Sequence, residues 1–135
     1  MKIFLDTNIL LDLLLDRKNS YEASIILNSI DIGLFEGYIS DITLVNIDYI
    51  ARKQKKENEI KEFLFLLLET MEICTPDTSL IYEALKLENK DFEDNIQYLL
   101  AKKCKCDCLI TNDKTLKFDD IEILESKSFI DKYLR

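Results

Sequence analysis

The sequence predicts an α/β fold: a three-layer α/β/α sandwich around a central, mainly parallel sheet of four or five strands. Three observations carry that expectation. Short apolar runs such as Ile3-Phe4-Leu5 alternate with longer segments whose apolar residues recur at helical spacing. Cap and turn residues between them leave only short connections. No internal repeat or low-complexity linker interrupts the alternation, so the 135 residues read as one domain, 1–135. Strands that alternate with helices pair in parallel, because each crossover lays a helix across one face of the sheet.

In chain order, Ile3-Phe4-Leu5 is a buried first strand, and Ile9, Leu10, Leu13 and Leu14 mark a helix after it. Ser20 is the expected cap of a second helix with Ala23, Ile26, Leu27 and Ile30 on one face, ended by Gly33. Gly37 to Ser40 is a second strand, and Asp41 caps a helix carrying Ile42, Val45 and Tyr49. After the basic turn Arg52 to Lys56, a helix spans about Asn58 to Thr70. Its stretch Phe63 to Leu68 is too apolar for an ordinary surface helix and reads as core or as a partly exposed interface. Glu72-Ile73-Cys74 is a third strand, and Pro76 and Asp77 start the next helix. A helix begins near Asp91, Cys108 to Thr111 is a fourth strand, Ile121 to Leu124 a fifth, and Ser126 caps the last helix.

The composition excludes several functions. No apolar run is long enough to span a membrane, and Asp6 and Asp12 break the leucine-rich start that would otherwise resemble a signal peptide. A cytoplasmic protein with reduced thiols is expected. Of the four cysteines, Cys106 and Cys108 alternate into a strand as small buried residues; with no histidine in the chain, a zinc site is disfavoured. The net charge of −8 argues against a broad phosphate-tracking surface, though not against a site where cations bridge carboxylates to phosphate. Without histidine, hydrolysis must rest on carboxylates, a metal, or a Ser, Thr or Cys nucleophile.

Ligands of parallel sheets sit beyond the carboxyl ends of the strands. That rule selects Asp6 and the corner Thr111-Asn112-Asp113, and Asp94, at a helix start, can project over the same edge. Each acid has a plainer role open to it: Asp6 as a helix cap, Asp113 as a turn residue, Asp94 and Glu93 as first-turn acids favoured by the helix dipole. Three converging carboxylates repel unless protonated or bridged by cations, and oxygen-seeking Mg2+ or Mn2+ is the natural bridge. Such a cation activates water in place of the missing histidine.

Leu5-Asp6-Thr7-Asn8-Ile9-Leu10-Leu11-Asp12 resembles the opening of a PIN domain. The likeness continues through Tyr38-Ile39-Ser40, Asp91-Phe92-Glu93-Asp94 and Leu109-Ile110-Thr111-Asn112-Asp113, in the same order and spacing. The resemblance implies a PIN-like α/β/α sandwich and a Mg2+- or Mn2+-dependent ribonuclease. In small bacterial and archaeal members it further implies a VapC-type toxin, paired with an antitoxin protein that blocks the site, and a homodimer. It assigns Asp6, Asp94 and Asp113 as catalytic metal ligands, with Thr111 and Asn112 flanking the last. The fourth acid of the pattern, a glutamate in the helix after the second strand, is replaced by Asn46, which can hydrogen-bond but carries no charge. Asp48 lies on a different helical face, and Glu93 stands beside Asp94 as a further source of charge.

Asn8 and Asp12, four apart, can share a helical face at the mouth of the site. The basic run Arg52 to Lys56 is either an RNA contact or a solvated turn. Two other functions compete with RNA hydrolysis. Asn46 and the low pI of 4.6 suit a non-catalytic PIN-like module that binds RNA or protein. Asp6 at a strand end also suits an aspartyl-phosphate nucleophile as in haloacid-dehalogenase-like phosphatases, but Asn8 stands where their acid/base aspartate is needed.

Overall fold

The computed structural model describes residues 1–135. Its five strands are β1 (Lys2–Leu5), β2 (Glu36–Ser40), β3 (Glu72–Cys74), β4 (Cys108–Ile110) and β5 (Glu122–Leu124). The seven helices are α1 (Thr7–Leu14), α2 (Ser20–Asp31), α3 (Asp41–Ala51), α4 (Glu57–Thr70), α5 (Thr78–Lys86), α6 (Phe92–Lys103) and α7 (Ser126–Tyr133). The strand order is β3-β2-β1-β4-β5 and every pairing is parallel, so the expected sheet has its larger strand number and no antiparallel member.

The side-chain alternation of β1 explains the layers. Ile3 and Leu5 face one way into a core shared with α1, α2 and α7, through Leu10, Ile26 and Phe129. Phe4 faces the other way and packs with Leu109, Leu80, Ala84, Ile96 and Leu100 from β4, α5 and α6. Both faces of the sheet are therefore covered by apolar helix stripes, as all-parallel pairing requires. From β1 the chain proceeds to β2 and β3 on one side and to β4 and β5 on the other. The crevice between β1 and β4 is thus the point where strand order reverses, and it opens at Asp6 and Thr111.

Gly37 is closely packed: a Cβ there would lie 2.5 Å from Met71 Sδ and 2.7 Å from Ile30 Cδ1, so those side chains would have to shift. At the end of α2, Gly33 has φ +85°, with its N–H bonded to Ile30 O and that of Leu34 to Ser29 O, a Schellman closure. The same closure ends α6, but with Lys105 in the left-handed position at φ 58°.

Three caps differ from expectation by one residue. Ser20 is the first residue of α2, preceded by Asn19, and its hydroxyl donates back to Asp16 Oδ1 at 3.3 Å. Ser40, not Asp41, caps α3 by accepting from the Ile42 N–H at 3.1 Å. Ser126 opens α7 as its first residue, and its N–H and hydroxyl are held by Asn112 Oδ1. Pro76 and Asp77, expected to start α5, precede it: Asp77 is its cap and accepts from Leu80 N–H at 2.8 Å. On α4, Leu67 is buried while Phe65, Leu66 and Leu68 remain exposed, which gives the apolar stretch both a core and a surface side. Arg52 and Lys55 of the basic turn pair with Asp48 and Glu59, as in a solvated turn.

Candidate active site

Asp6 precedes α1 with extended backbone, yet its carboxylate makes no cap bond to that helix. Instead Oδ1 accepts from Gln97 Nε2 at 3.2 Å and Oδ2 from Thr111 Oγ1 at 2.9 Å, with only 4% of the residue exposed. The capping role open to Asp6 in the sequence is therefore excluded for its side chain. Burial pushes its carboxyl above the ordinary value; Thr111 and Gln97 oppose that, and the Glu93 charge adds to it.

Asp94 lies in the first turn of α6. Asp91 caps that helix by accepting the Asp94 N–H at 3.0 Å, which fixes the backbone and aims the Asp94 carboxyl over the sheet edge. Asp94 is 8% exposed, and its carboxyl is pushed up to about 7. Burial is the largest cause, followed by the negative charges of Asp6, Asp91, Asp113 and Glu93. No cation is among its partners.

Asp113 closes a tight turn after β4. Its N–H donates to Thr111 Oγ1 at 3.1 Å, and its Oδ1 accepts from the Thr115 hydroxyl at 2.7 Å and N–H at 2.9 Å. These donors hold its carboxyl below the ordinary range, assisted by Asp94. Asp113 thus combines the turn role and a place beside the other acids.

Glu93 is the most heavily held of the acids. Its Oε1 accepts from Asn46 Nδ2 at 2.8 Å; its Oε2 accepts from Thr7 Oγ1 at 2.7 Å and Gln97 Nε2 at 3.2 Å. Since the Thr7 hydroxyl gives its proton to Glu93, the 2.8 Å bond from buried Thr43 must be donated by Thr43. A relay Thr43–Thr7–Glu93 therefore joins α3, α1 and α6.

The structure brings Asp6, Asp94, Asp113, Glu93, Asn46 and Thr111 to one edge. It does not bring Asn112 there: that side chain secures the start of α7 and reaches Asp12 Oδ2 at 3.5 Å. Asn8 is exposed, whereas Asp12 is buried beside Arg17. Gln97, Thr7 and Thr43 also join the hydrogen-bond network at this edge, and the sequence pattern does not single them out. Helical spacing could have found Gln97, which lies four residues after Glu93 and three after Asp94 on the same face. Its Oε1 is buried without a partner.

A PIN domain family model matches residues 2–115. The chain belongs to the PIN domain family. It is 29% identical over 143 residues to Ribonuclease VapC1 of Aquifex aeolicus (strain VF5), spanning 98% of this chain and 95% of that relative. Among solved structures, VapBC2 from Rickettsia felis, bound to a promoter DNA fragment, aligns with TM-score 0.69 and 22% identity over 93% of this chain and 98% of that one. Mycobacterium tuberculosis VapC20, described as a Sarcin-Ricin loop cleaving toxin, aligns with TM-score 0.66 and 12% identity over 79% and 86% of the two chains. At these identities the solved structures establish the PIN fold.

In this PIN domain the acids offer only hard oxygen donors, the chemistry that Mg2+ and Mn2+ select. No three of them are arranged to close on one ion as they stand. Mg2+ does not demand such a cage, because it binds through one or two carboxylates and keeps several waters.

Proposed function

We propose that this PIN domain is a divalent-cation-dependent endoribonuclease, the cytoplasmic toxin half of a type II toxin–antitoxin pair. The observation that carries the reading is the convergence of Asp6, Glu93, Asp94 and Asp113 on one edge, with no positive partner beside Asp94 and its carboxyl raised by burial and by those neighbours. A protein that needed these residues only for folding would lose nothing by neutralising them. Their mutual repulsion costs stability until a cation enters, so the cluster makes physical sense as a metal-binding edge.

From Asp6, Asp94 and Asp113 one or two carboxylates would hold the cation directly and the rest through its waters, with Glu93 at its flank. When bound, the ion supplies Lewis acidity at a phosphate oxygen and a water acidic enough to attack at neutral pH. The chain's own residues orient that chemistry. Gln97 ties Asp6 to Glu93, Thr111 fixes the second Asp6 oxygen, and Asn46 and Thr7 fix both oxygens of Glu93. The Gln97 Oε1 is buried and has no hydrogen-bond partner, so the amide contributes to the edge through its Nε2 alone.

The toxin assignment draws on the relative named Ribonuclease VapC1 and on the VapBC2 complex. An antitoxin would cover the acidic edge, and a homodimer is the expected assembly. The non-catalytic reading rests on Asn46 in place of an acid and on the low pI; the bond from Asn46 to Glu93 gives that residue a task and leaves four carboxylates at the edge.

The direct test is cleavage of single-stranded and structured RNA by purified protein with Mg2+, Mn2+ or chelator. Cutting should require a cation and vanish in Asp6→Asn and Asp94→Asn, with folding intact by circular dichroism. Undiminished cutting by both variants sinks the assignment.

A further inference from the structure

The loop between β4 and β5 forms a second surface next to the acids. A cleft of about 500 Å³ is lined by Thr111 and Asp113 at one end and by Lys114, Leu116, Lys117 and Phe118 beyond them. Its volume lies in the range of small-ligand sites. Two members of the acidic edge therefore form one end of a cavity whose other end has a different chemistry.

That chemistry is cationic and aromatic. Lys114 and Lys117 are exposed, and neither belongs to any ion pair, whereas half of the chain's sixteen other basic side chains do. In a chain of net charge −8, carboxylate partners are plentiful, so two unpaired lysines on one cleft are left available for an external anion. Phe118 is half-buried and stacks on Tyr98 of α6, with ring centroids 3.6 Å apart and planes 5° from parallel. A stacked aromatic pair presents a π surface that a nucleobase can extend.

The loop is also fixed before any ligand arrives. Leu116 is buried in the α5–α6 core, and the Tyr98 hydroxyl donates to Asp120 Oδ1 at 2.5 Å. Lys102 adds an ion pair to Asp120 Oδ2 at 2.6 Å. Three anchors within five residues hold Lys114, Lys117 and Phe118 in place, which lowers the ordering cost of binding. Asp119 and Glu125 also touch the cleft, so its charge is mixed and the lysines act locally.

We propose that this cleft seats a nucleotide of single-stranded RNA next to the scissile phosphate, with Lys114 and Lys117 on backbone phosphates and Phe118 against the base. The inference rests on the ribonuclease reading of the acids and adds to it the path of the strand: from Asp113 outward over the β4–β5 loop. Stacking on the open face of the Phe118–Tyr98 pair favours unpaired nucleotides over duplex, since a duplex offers no free base face.

The test is binding of a fluorescently labelled single-stranded oligoribonucleotide in chelator, where no cation-dependent cutting occurs, read by anisotropy across a salt series. Lys114→Gln/Lys117→Gln is expected to weaken binding about tenfold and to reduce the salt slope by about 1.4, two single-strand phosphate contacts. Phe118→Leu is expected to weaken binding about tenfold without changing the slope. Melting temperatures control for loss of the Phe118–Tyr98 stack; the exposed lysine variants carry no such folding cost. Wild-type affinity and slope in the lysine double variant overturn the subsite even if wild-type protein cuts RNA. Lysine-dependent binding by a protein that cuts nothing with Mg2+ or Mn2+ supports the subsite and refutes the nuclease instead.

Discussion

Asn46 Nδ2 donates to Glu93 Oε1 at 2.8 Å, joining α3 to the first turn of α6. An amide on one helix thus orients a carboxylate on another, and the acid absent from position 46 has a counterpart at position 93. The pairing is directional: Asn46 can donate to an ionised Glu93, whereas a glutamate at 46 would face it with a second negative charge. Asn46→Ala is therefore expected to reduce RNA cleavage by about 10–100-fold, the usual scale for losing a residue that orients a metal ligand. Its stability cost should be only about 1 kcal/mol, one hydrogen bond. Steady-state kinetics with manganese titration separates the two, and Glu93→Gln should show a loss of similar size. Full activity in both variants would leave the pairing without a catalytic role.

The metal-free protein should lose stability as pH rises. Asp94 has its carboxyl raised to about 7 by burial and by the charges of Asp6, Asp91, Asp113 and Glu93. The native state therefore binds more protons than the unfolded chain between about pH 4 and pH 7, and stability falls through that window. Asp6 is raised too and acts with the same sign. Asp113 is held low, so its contribution is lost only in strong acid. Thermal melts in chelator should show a lower Tm at pH 8 than at pH 5. Asp94→Asn should melt above wild type at pH 8, and saturating Mn2+ should close that gap. A flat Tm between pH 5 and pH 8, with no gain in the variant, contradicts a repelling cluster.

Much of this arrangement was legible in the sequence because it follows from local pattern. Asp6 and Asp113 were found by their position after apolar strands, and Asp94 by its place in a helix start. The five strands emerged with errors of about one residue at their ends. What stayed hidden depends on tertiary partners. The Ser126 hydroxyl binds Asn112, fourteen residues upstream across β5, and no local rule announces that it will leave the cap position. Gln97 reads as one polar residue among many until α6 is laid beside β1. Thr43 and Thr7 are ordinary helix residues until α3 and α1 bring their hydroxyls to 2.8 Å.

Two backbone positions should respond in opposite directions. Lys105 holds the left-handed position at the end of α6 with φ 58°, where a Cβ costs about 1 kcal/mol and glycine costs none. Lys105→Gly should raise unfolding free energy by about 1 kcal/mol in urea titration, with the m-value unchanged. Gly37→Ala should lower it by about 1–3 kcal/mol, because the new methyl meets Met71 and Ile30 inside van der Waals distance. A neutral Gly37→Ala would mean that the Met71 side chain moves aside at little cost.

Gln97 is the sharpest probe of how the edge is held together. One amide donates to Asp6 Oδ1 and to Glu93 Oε2, each at 3.2 Å, so it bridges the acid that follows β1 to an acid of α6. It is almost fully buried, and its Oε1 has no partner. Gln97→Met keeps the volume and removes both bonds, which leaves two carboxylates without the donor that spaced them. The expected result is a 10–100-fold loss in cleavage with a weakened apparent affinity for Mn2+, and little change in RNA affinity measured in chelator. Gln97→Glu should be more severe, because a further negative charge between Asp6 and Glu93 adds repulsion where the wild type has a donor. Cleavage rates across a manganese series distinguish the bridge from a packing role: a packing residue would change Tm in both variants while leaving the manganese dependence of the rate where it was.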